Sequence, residues 1–341
     1  MKKIVYVGFA FKHHKGTHAG YHHIKDWLKY DYVIDCQSFF DNCTKDGSRL
    51  SIMDRVIRRV IARLLGVRAI PWFVLKIIWL GITQSDIVFH FIYGENTYFS
   101  WIKRYIRKSN KIVCTFHQPL EFFQNDKRQK RMLKTADHII LVGKMEVDDF
   151  KVLTGRDNVV YIPHGISSDF YDIDNSIQKE NTVLTVGNWL RDYRFADKVY
   201  KELLEANPAL QIHVVSSPAN KKMLTEHPRM KFMSNISDEE LKREYMKCSV
   251  LFLPLTRYTA NNSLLEASST GCNIVISSDF PDNSYIPEVF LTTVPMDVPS
   301  AVSAIRQVSS LDYNYNLSHF IKTNYGWDII ADKTREVLLR I

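Results

Sequence analysis

The stretch from Cys248 to Ser277, CSVLFLPLTRYTANNSLLEASSTGCNIVIS, constrains the fold more than any other. Val250 to Leu253 is apolar at every position, which reads as a strand covered on both faces rather than on one. Ser263 to Thr270 reads as a helix stopped at Gly271, and Ile274 to Ile276 as the next strand. Strand, helix and strand in that order make a parallel crossover, so the expected class is α/β. Asn261, Asn262 and Ser263 are N-cap residue types, placing the free amides and the positive pole of the helix at the preceding loop, where phosphate can bind. Glu266 falls on the first turn. It reads either as an acid complementing the dipole or as an acceptor for a ligand hydroxyl.

A chain of 341 residues suits two domains, and 45% hydrophobic with 24% charged residues describes a folded chain, not a disordered one. Charge is uneven: residues 1 to 150 hold 25 Lys and Arg against 14 Asp and Glu, and the remainder 20 against 23. The basic half points to an anionic partner or to a solvated basic surface; with no recognised module, nucleic acid is not expected. Five cysteines show no metal-ligand spacing and are read as reduced, so a cytoplasmic location is expected. No metal is expected at His13, His14, His22 and His23, which lack acidic or thiol companions.

Ile4 to Ala10 reads as the first buried strand rather than a signal core. A loop containing Gly16 and Gly20 follows, with a helix expected from about Thr17. Over residues 51 to 82, apolar residues recur at helical spacing among Arg55, Arg58, Arg59, Arg63 and Arg68, and a second run holds Trp72 and Trp79. That second run, residues 69–82, is too short to span a bilayer and is interrupted by Pro71 and Lys76. Residues 51 to 82 read equally as a helix lying on an anionic membrane, at the inner face of the cytoplasmic membrane, or as a buried helix with a solvated basic face. Strands are expected at Asp86 to Phe91 and Lys111 to Thr115, a helix at Thr97 to Ser109 between them, and His117 just past a strand's carboxyl end, where open α/β sheets place ligands.

Val159 to Ile166, with Pro163 and Gly165 as turn residues, precedes a polar segment carrying Asp172 and Asp174, read as solvated. The expected boundaries are a domain over 1–165, a linker over 166–181, a second domain over 182–322 and a terminal helix over 323–341 that returns to the first domain. Thr182 to Val186 reads as a strand and runs into Gly187-Asn188-Trp189-Leu190-Arg191-Asp192-Tyr193-Arg194. Beyond it come strand Ile212 to Val215, helix Asn220 to His227, strand Met230 to Met233, and a capped helix start at Ser237.

Leu265-Glu266-Ala267 through Gly271, the Ile-Pro-His-Gly-Ile turn at 162–166 and Gly187 after its strand resemble the GT-B glycosyltransferases, in particular the retaining family 4 group. The resemblance implies two Rossmann-like doubly wound domains facing across a cleft, with a nucleoside diphosphate sugar, UDP- or GDP-linked, held by the second. It assigns Glu266 to the ribose hydroxyls, and Asn261, Asn262, Ser263 and Leu264 to the phosphates. Asn188 stands where the family usually has arginine, so Arg191 is the preferred cation for the departing diphosphate and Arg194 the other. Asn235 and Ile236 are implied to line the base, Gly16 to lie near the donor phosphates, and His117 to contact the donor sugar. Tyr258 replaces a usual glutamate; His18 and Tyr21 are candidates for the acceptor. The implied activity is transfer of a hexose-type sugar to a hydroxyl of a lipid-linked or growing surface glycan, with retention, without an obligatory metal or other cofactor. The alternatives are a non-catalytic partner or chaperone of another transferase and a nucleotide-sugar 2-epimerase.

Overall fold

All-apolar strands alternate with helices along the chain, and in the computed structural model they form two six-stranded parallel sheets. Residues 2–42, 60, 63, 70–257, 260–279 and 286–341 are described. Most of the arginine-rich segment 51–69, Tyr258 and residues 280–285 lie outside them. Contacts divide the chain between Ile162 and Pro163; Thr17–Ala19 groups with the second unit and Ala331–Ile341 with the first.

The first unit holds β1 (Lys3–Gly8), β2 (Tyr32–Asp35), β3 (Ile87–Phe91), β4 (Lys111–Phe116), β5 (His138–Leu141) and β6 (Val159–Tyr161), in the order β2-β1-β3-β4-β5-β6. The second holds β7 (Glu180–Val186), β8 (Gln211–Val215), β9 (Met230–Met233), β10 (Cys248–Pro254), β11 (Asn273–Ser277) and β12 (Thr292–Val294), in the order β12-β11-β10-β7-β8-β9. In each sheet the order reverses beside the first strand, between β1 and β3 and between β7 and β10. That reversal opens a crevice at the strand ends of a doubly wound sheet.

Strand alternation explains why the central strands are apolar throughout. Leu251 and Leu253 of β10, with Ile274 and Ile276 of β11, enter one core beside Leu264, Leu265 and Tyr245. Val250, Phe252 and Val275 enter the opposite core against Val199, Tyr200 and Ile305. Each such side chain removes about 1.5–3 kcal/mol of apolar exposure from water, and a helix on each face is needed to realise it.

Three expected helices differ. The one placed at Thr97 to Ser109 is a short helix, Gly94–Thr97, and a 3-10 turn, Ser100–Arg104, because Tyr98 takes extended backbone and buries its ring. The one placed at Asn220 to His227 covers only Pro218–Lys221, since Asp197 draws the Thr225 amide and hydroxyl to itself at 2.6 and 3.0 Å. The helix expected from Thr17 starts at Ile24, behind Gly20 at φ 105° and a 3-10 turn. Helix Trp72–Thr83 turns Phe73, Val74, Ile77 and Ile78 inward, while Trp72, Trp79 and Ile82 stay exposed.

Candidate functional site

β7 ends at Val186, and the next residue, Gly187, adopts φ 116°. A Cβ there would lie 2.8 Å from the Arg191 guanidinium, so only glycine lets that side chain fold back across the strand end. Leu190, at φ 59°, turns the chain so that Arg191 bridges Leu255 and the Asp192 amide donates to Pro254 at 2.9 Å. Arg191 is thereby locked. Its Nη2 donates to Asn261 Oδ1 at 2.9 Å and Ser263 Oγ at 2.8 Å, Nη1 to the Trp189 carbonyl at 2.6 Å and Nε to the Val186 carbonyl at 3.3 Å.

These contacts set a guanidinium on the first turn of helix Asn262–Ser269. Asn261 caps that helix, its Oδ1 accepting from the Leu264 amide at 3.2 Å, while Asn262 and Ser263 open it without a carbonyl four residues back. The Leu264 amide is therefore occupied, and the helix end is partly closed by its own cap. Among the described residues no carboxylate pairs with Arg191; Glu266 acts on it only through space, and burial pulls the guanidinium pKa down. A fixed cation facing the positive pole of a helix is self-repelling until an anion lies between them.

Glu266 lies one turn along that helix, 3% exposed, with Oε2 accepting from the Tyr245 hydroxyl at 2.9 Å. Burial pushes its pKa up to about 7, helped by Asp238 and opposed by the Tyr245 hydroxyl and Arg191. Near neutral pH the carboxyl is thus poised between donor and acceptor of hydrogen bonds.

The other sequence candidates in this unit do not converge there. Asn188 Oδ1 accepts from Ser216 Oγ at 3.0 Å and the Ser217 amide at 2.5 Å, tying the ends of β7 and β8 together. Arg194 is exposed and lines a separate depression of about 420 Å³ with Asp192, Lys198 and Asp279, so it does not share the Arg191 position. Asn235, at φ 54°, and Ile236 form the turn after β9, ahead of a helix whose Ser237–Glu240 capping box is complete. His18 stacks on Phe170 at 3.6 Å, and its Nδ1 lies 3.0 Å from Asp238 Oδ2, which makes it a packing residue. Asp172 pairs with Lys322 and Asp174 bonds Ser176, both local uses.

In the first unit His117 follows β4, with the Tyr93 and Tyr21 rings 4.7 and 4.9 Å from its own. Its amide donates to Glu95 Oε1 at 3.3 Å, and Nδ1 lies 3.5 Å from the same oxygen. Tyr21 is fully buried, its pKa raised to about 12 by that burial, so it is part of the core wall. Gly16 sits at φ 73° with open space around it.

Tyr245 and Glu95 were not singled out from the sequence. Tyr245 is one of 17 tyrosines, and nothing in its spacing ties it to position 266. Glu95 does leave a signal, an acid just past β3, next to the strand that His117 follows. Among the described residues no three His, Cys, Asp or Glu side chains gather as a metal ion would need.

No protein-family model and no curated protein sequence matches the chain. Solved structures do. The lipopolysaccharide outer core galactosyltransferase WaaB in apo form superposes at TM-score 0.68 with 14% identity over 99% of each chain. HepE of Anabaena in complex with UDP-glucose superposes at TM-score 0.67 with 12% identity over 100% of each. Sucrose-phosphate synthase of Thermosynechococcus elongatus gives 0.59 with 18% identity over 74% of this chain and 73% of that one. These neighbours are GT-B glycosyltransferases, and the likeness fixes the fold of this chain as GT-B.

Proposed function

We propose that the chain transfers a hexose-type sugar from a nucleoside diphosphate to a hydroxyl of a lipid-linked or growing glycan. The observation that carries this reading is the meeting of Arg191 with the amino-terminal end of helix Asn262–Ser269, two positive features without an acid between them. As the sugar–phosphate bond breaks, negative charge grows on the departing diphosphate, and a guanidinium held in advance by four protein bonds stabilises it without reorganising. Five donors less four leave one N–H of Arg191 for a phosphate oxygen, with the Asn262 and Ser263 amides beside it. Ionised Glu266 accepts from the ribose hydroxyls, Asn235 and Ile236 border the base, and Gly16 belongs to the loop assigned to the donor phosphates. His117 is assigned to the reacting sugar. The complex of HepE with UDP-glucose makes UDP-glucose the first donor to try. Retention, with the leaving phosphate taking the acceptor proton, requires no protein base, and the arginine supplies the charge that a metal would otherwise bring.

Contact with an anionic membrane is proposed for the face of helix Trp72–Thr83 that exposes Trp72 (41%), Trp79 (63%) and Ile82 (52%) around exposed Lys76. Among the described residues no helix is long and apolar enough to cross a membrane.

A second reading, a transferase-like partner that no longer turns over, is favoured by Glu266 being engaged by Tyr245 and by Asn188 being spent on Ser216 and Ser217. Thermal melting with UDP, GDP and UDP-glucose, followed by UDP-glucose and GDP-mannose hydrolysis, separates the two. Saturating nucleotide at about 100 times its Kd should add about 2.7 kcal/mol of stability. If neither UDP nor GDP shifts the melting temperature, the sugar-transfer reading fails; binding without turnover selects the second.

A further inference from the structure

The buried acid beside His117 has no assigned task. The Glu95 side chain is 3% exposed, meets no lysine or arginine among the described residues, and its Oε2 has no hydrogen-bond partner there. The carboxylate is shielded from water, and the His117 turn is the polar neighbour it meets. Its placement is also built in detail. Gly94 begins the turn Gly94–Thr97, and a Cβ at that position would lie 2.7 Å from the Phe116 ring and 2.8 Å from Cys114 Cβ. Only glycine lets the turn settle onto the end of β4, and that approach carries the next residue, Glu95, to His117.

We propose that Glu95 is a positioning residue for His117: its carboxylate holds the backbone and the Nδ1 edge of the histidine, fixing the ring's plane and its tautomer. Oε1 accepts the His117 amide at 3.3 Å and stands 3.5 Å from Nδ1, close enough to form the ring bond with a small tightening when a ligand binds. Tyr93 and Tyr21 restrict rotation of the ring from two sides. A second buried acid, Glu146, accepts the Leu120 amide at 3.1 and 3.2 Å, so the turn from His117 to Leu120 is braced by a carboxylate at each end. A carboxylate on Nδ1–H puts the lone pair on Nε2, the form of neutral imidazole that accepts a hydrogen bond from a sugar hydroxyl.

This inference rests on the sugar-contact reading of His117, and the test keeps the two apart. Nitrogen-15 spectra of histidine-labelled protein, with His117→Ala to assign the signal, report the tautomer without any turnover. In the wild type His117 should show the Nδ1–H form alone. Glu95→Gln, which keeps the shape and removes the charge, should give a mixture with Nε2–H and lower kcat for UDP-glucose hydrolysis on the order of 100-fold, with KM changed little. Glu95→Asp should keep the charge and recover part of the rate. A folded Glu95→Gln protein with the wild-type nitrogen signature overturns the proposal whatever its rate; should that variant not fold, the wild-type spectrum decides, since an Nε2–H ring also overturns it. If the tautomer shifts but His117→Ala turns over normally, the sugar-contact reading of His117 falls and the positioning role falls with it, while the part assigned to Arg191 stands.

Discussion

The two strand-end turns, one in each unit, both follow a central parallel strand, β7 beside the reversal of its sheet and β4 one strand beyond the reversal of the other, and they carry opposite electrostatics. After β7 a guanidinium is folded onto the start of a helix, with no carboxylate paired to it among the described residues. After β4 a histidine is braced by buried carboxylates, with no lysine or arginine paired to Glu95 among the described residues. Each is shaped by a glycine whose Cβ would collide: Gly187 with Arg191, and Gly94, in the turn after β3 that brings Glu95 to His117, with Phe116. The end of a parallel strand thus serves in both units as a place for a braced side chain, and the proposed ligands differ accordingly: an anion that accumulates charge at the first, a neutral group that shares a proton at the second.

The largest effect should come from removing the cation. Arg191→Ala should lower donor turnover by about 10²- to 10³-fold and abolish the melting shift with nucleotide diphosphate. Arg191→Lys should recover little, because one ammonium cannot reach Asn261, Ser263 and two carbonyls together. Nucleotide binding unchanged in Arg191→Ala would remove the contrast between the two turns.

Next in size is Glu266. Its pKa in the folded protein is pushed up to about 7 from an ordinary 4.5, so between those values the native state keeps a proton that the unfolded chain has released. Stability therefore falls as pH rises from about 4.5 to about 7 and then levels, a penalty on the order of 3 kcal/mol. Glu266→Gln should remove it, gaining on the wild type in denaturant melts as pH is raised from 5 to 8. Donor affinity should move oppositely in the wild type, rising with pH through 7 as the carboxylate forms, and become flat in the variant. A parallel pH course for both proteins in both measurements would refute the buried-acid account.

How much of this was legible beforehand follows the range of the forces involved. The strands β7, β10 and β11, the cap at Asn261 and the capping box at Ser237 depend on neighbours within a few residues, and periodicity and cap chemistry locate them. Arg191 could be named because its neighbours in the chain form the turn. Its bonds to Asn261 and Ser263, 70 and 72 residues away, are set by the β7–β10 pairing, which the sequence order does not state. Tyr245 and Glu95 escaped for that reason: each reaches its partner, Glu266 or His117, only through the packing of separate elements. Asn188 shows the same range effect: the sequence places it directly after the strand-end glycine, but the Ser216 hydroxyl and the Ser217 amide, on another strand end, donate to its side chain. No continuous helix forms over Thr97 to Ser109, because aromatic residues that prefer extended backbone interrupt an otherwise helix-compatible run.

Gly187→Ala tests the geometry of the proposed anion site without touching its chemistry. Alanine at φ 116° is strained by about 1–3 kcal/mol, and its methyl would press on the guanidinium. Donor affinity should drop about tenfold, with kcat less affected, as a nucleotide titration would show. Equal affinity in the variant would mean that Arg191 is free to move, contrary to its four bonds.

The smallest effect separates holding a ligand from holding the fold. Asn188→Ala removes an acceptor used by the Ser216 hydroxyl and the Ser217 amide, so it should cost about 1–1.5 kcal/mol, measured as a fall of the melting midpoint by about 2–4 °C. Nucleotide affinity should stay within about twofold, because the side chain faces β8 and not the helix that bears Glu266. A larger loss of affinity than of stability would return Asn188 to the phosphate site and show that the cationic turn extends along the whole strand end. The contrast with the His117 turn would then rest on a broad charged surface and not on one locked arginine.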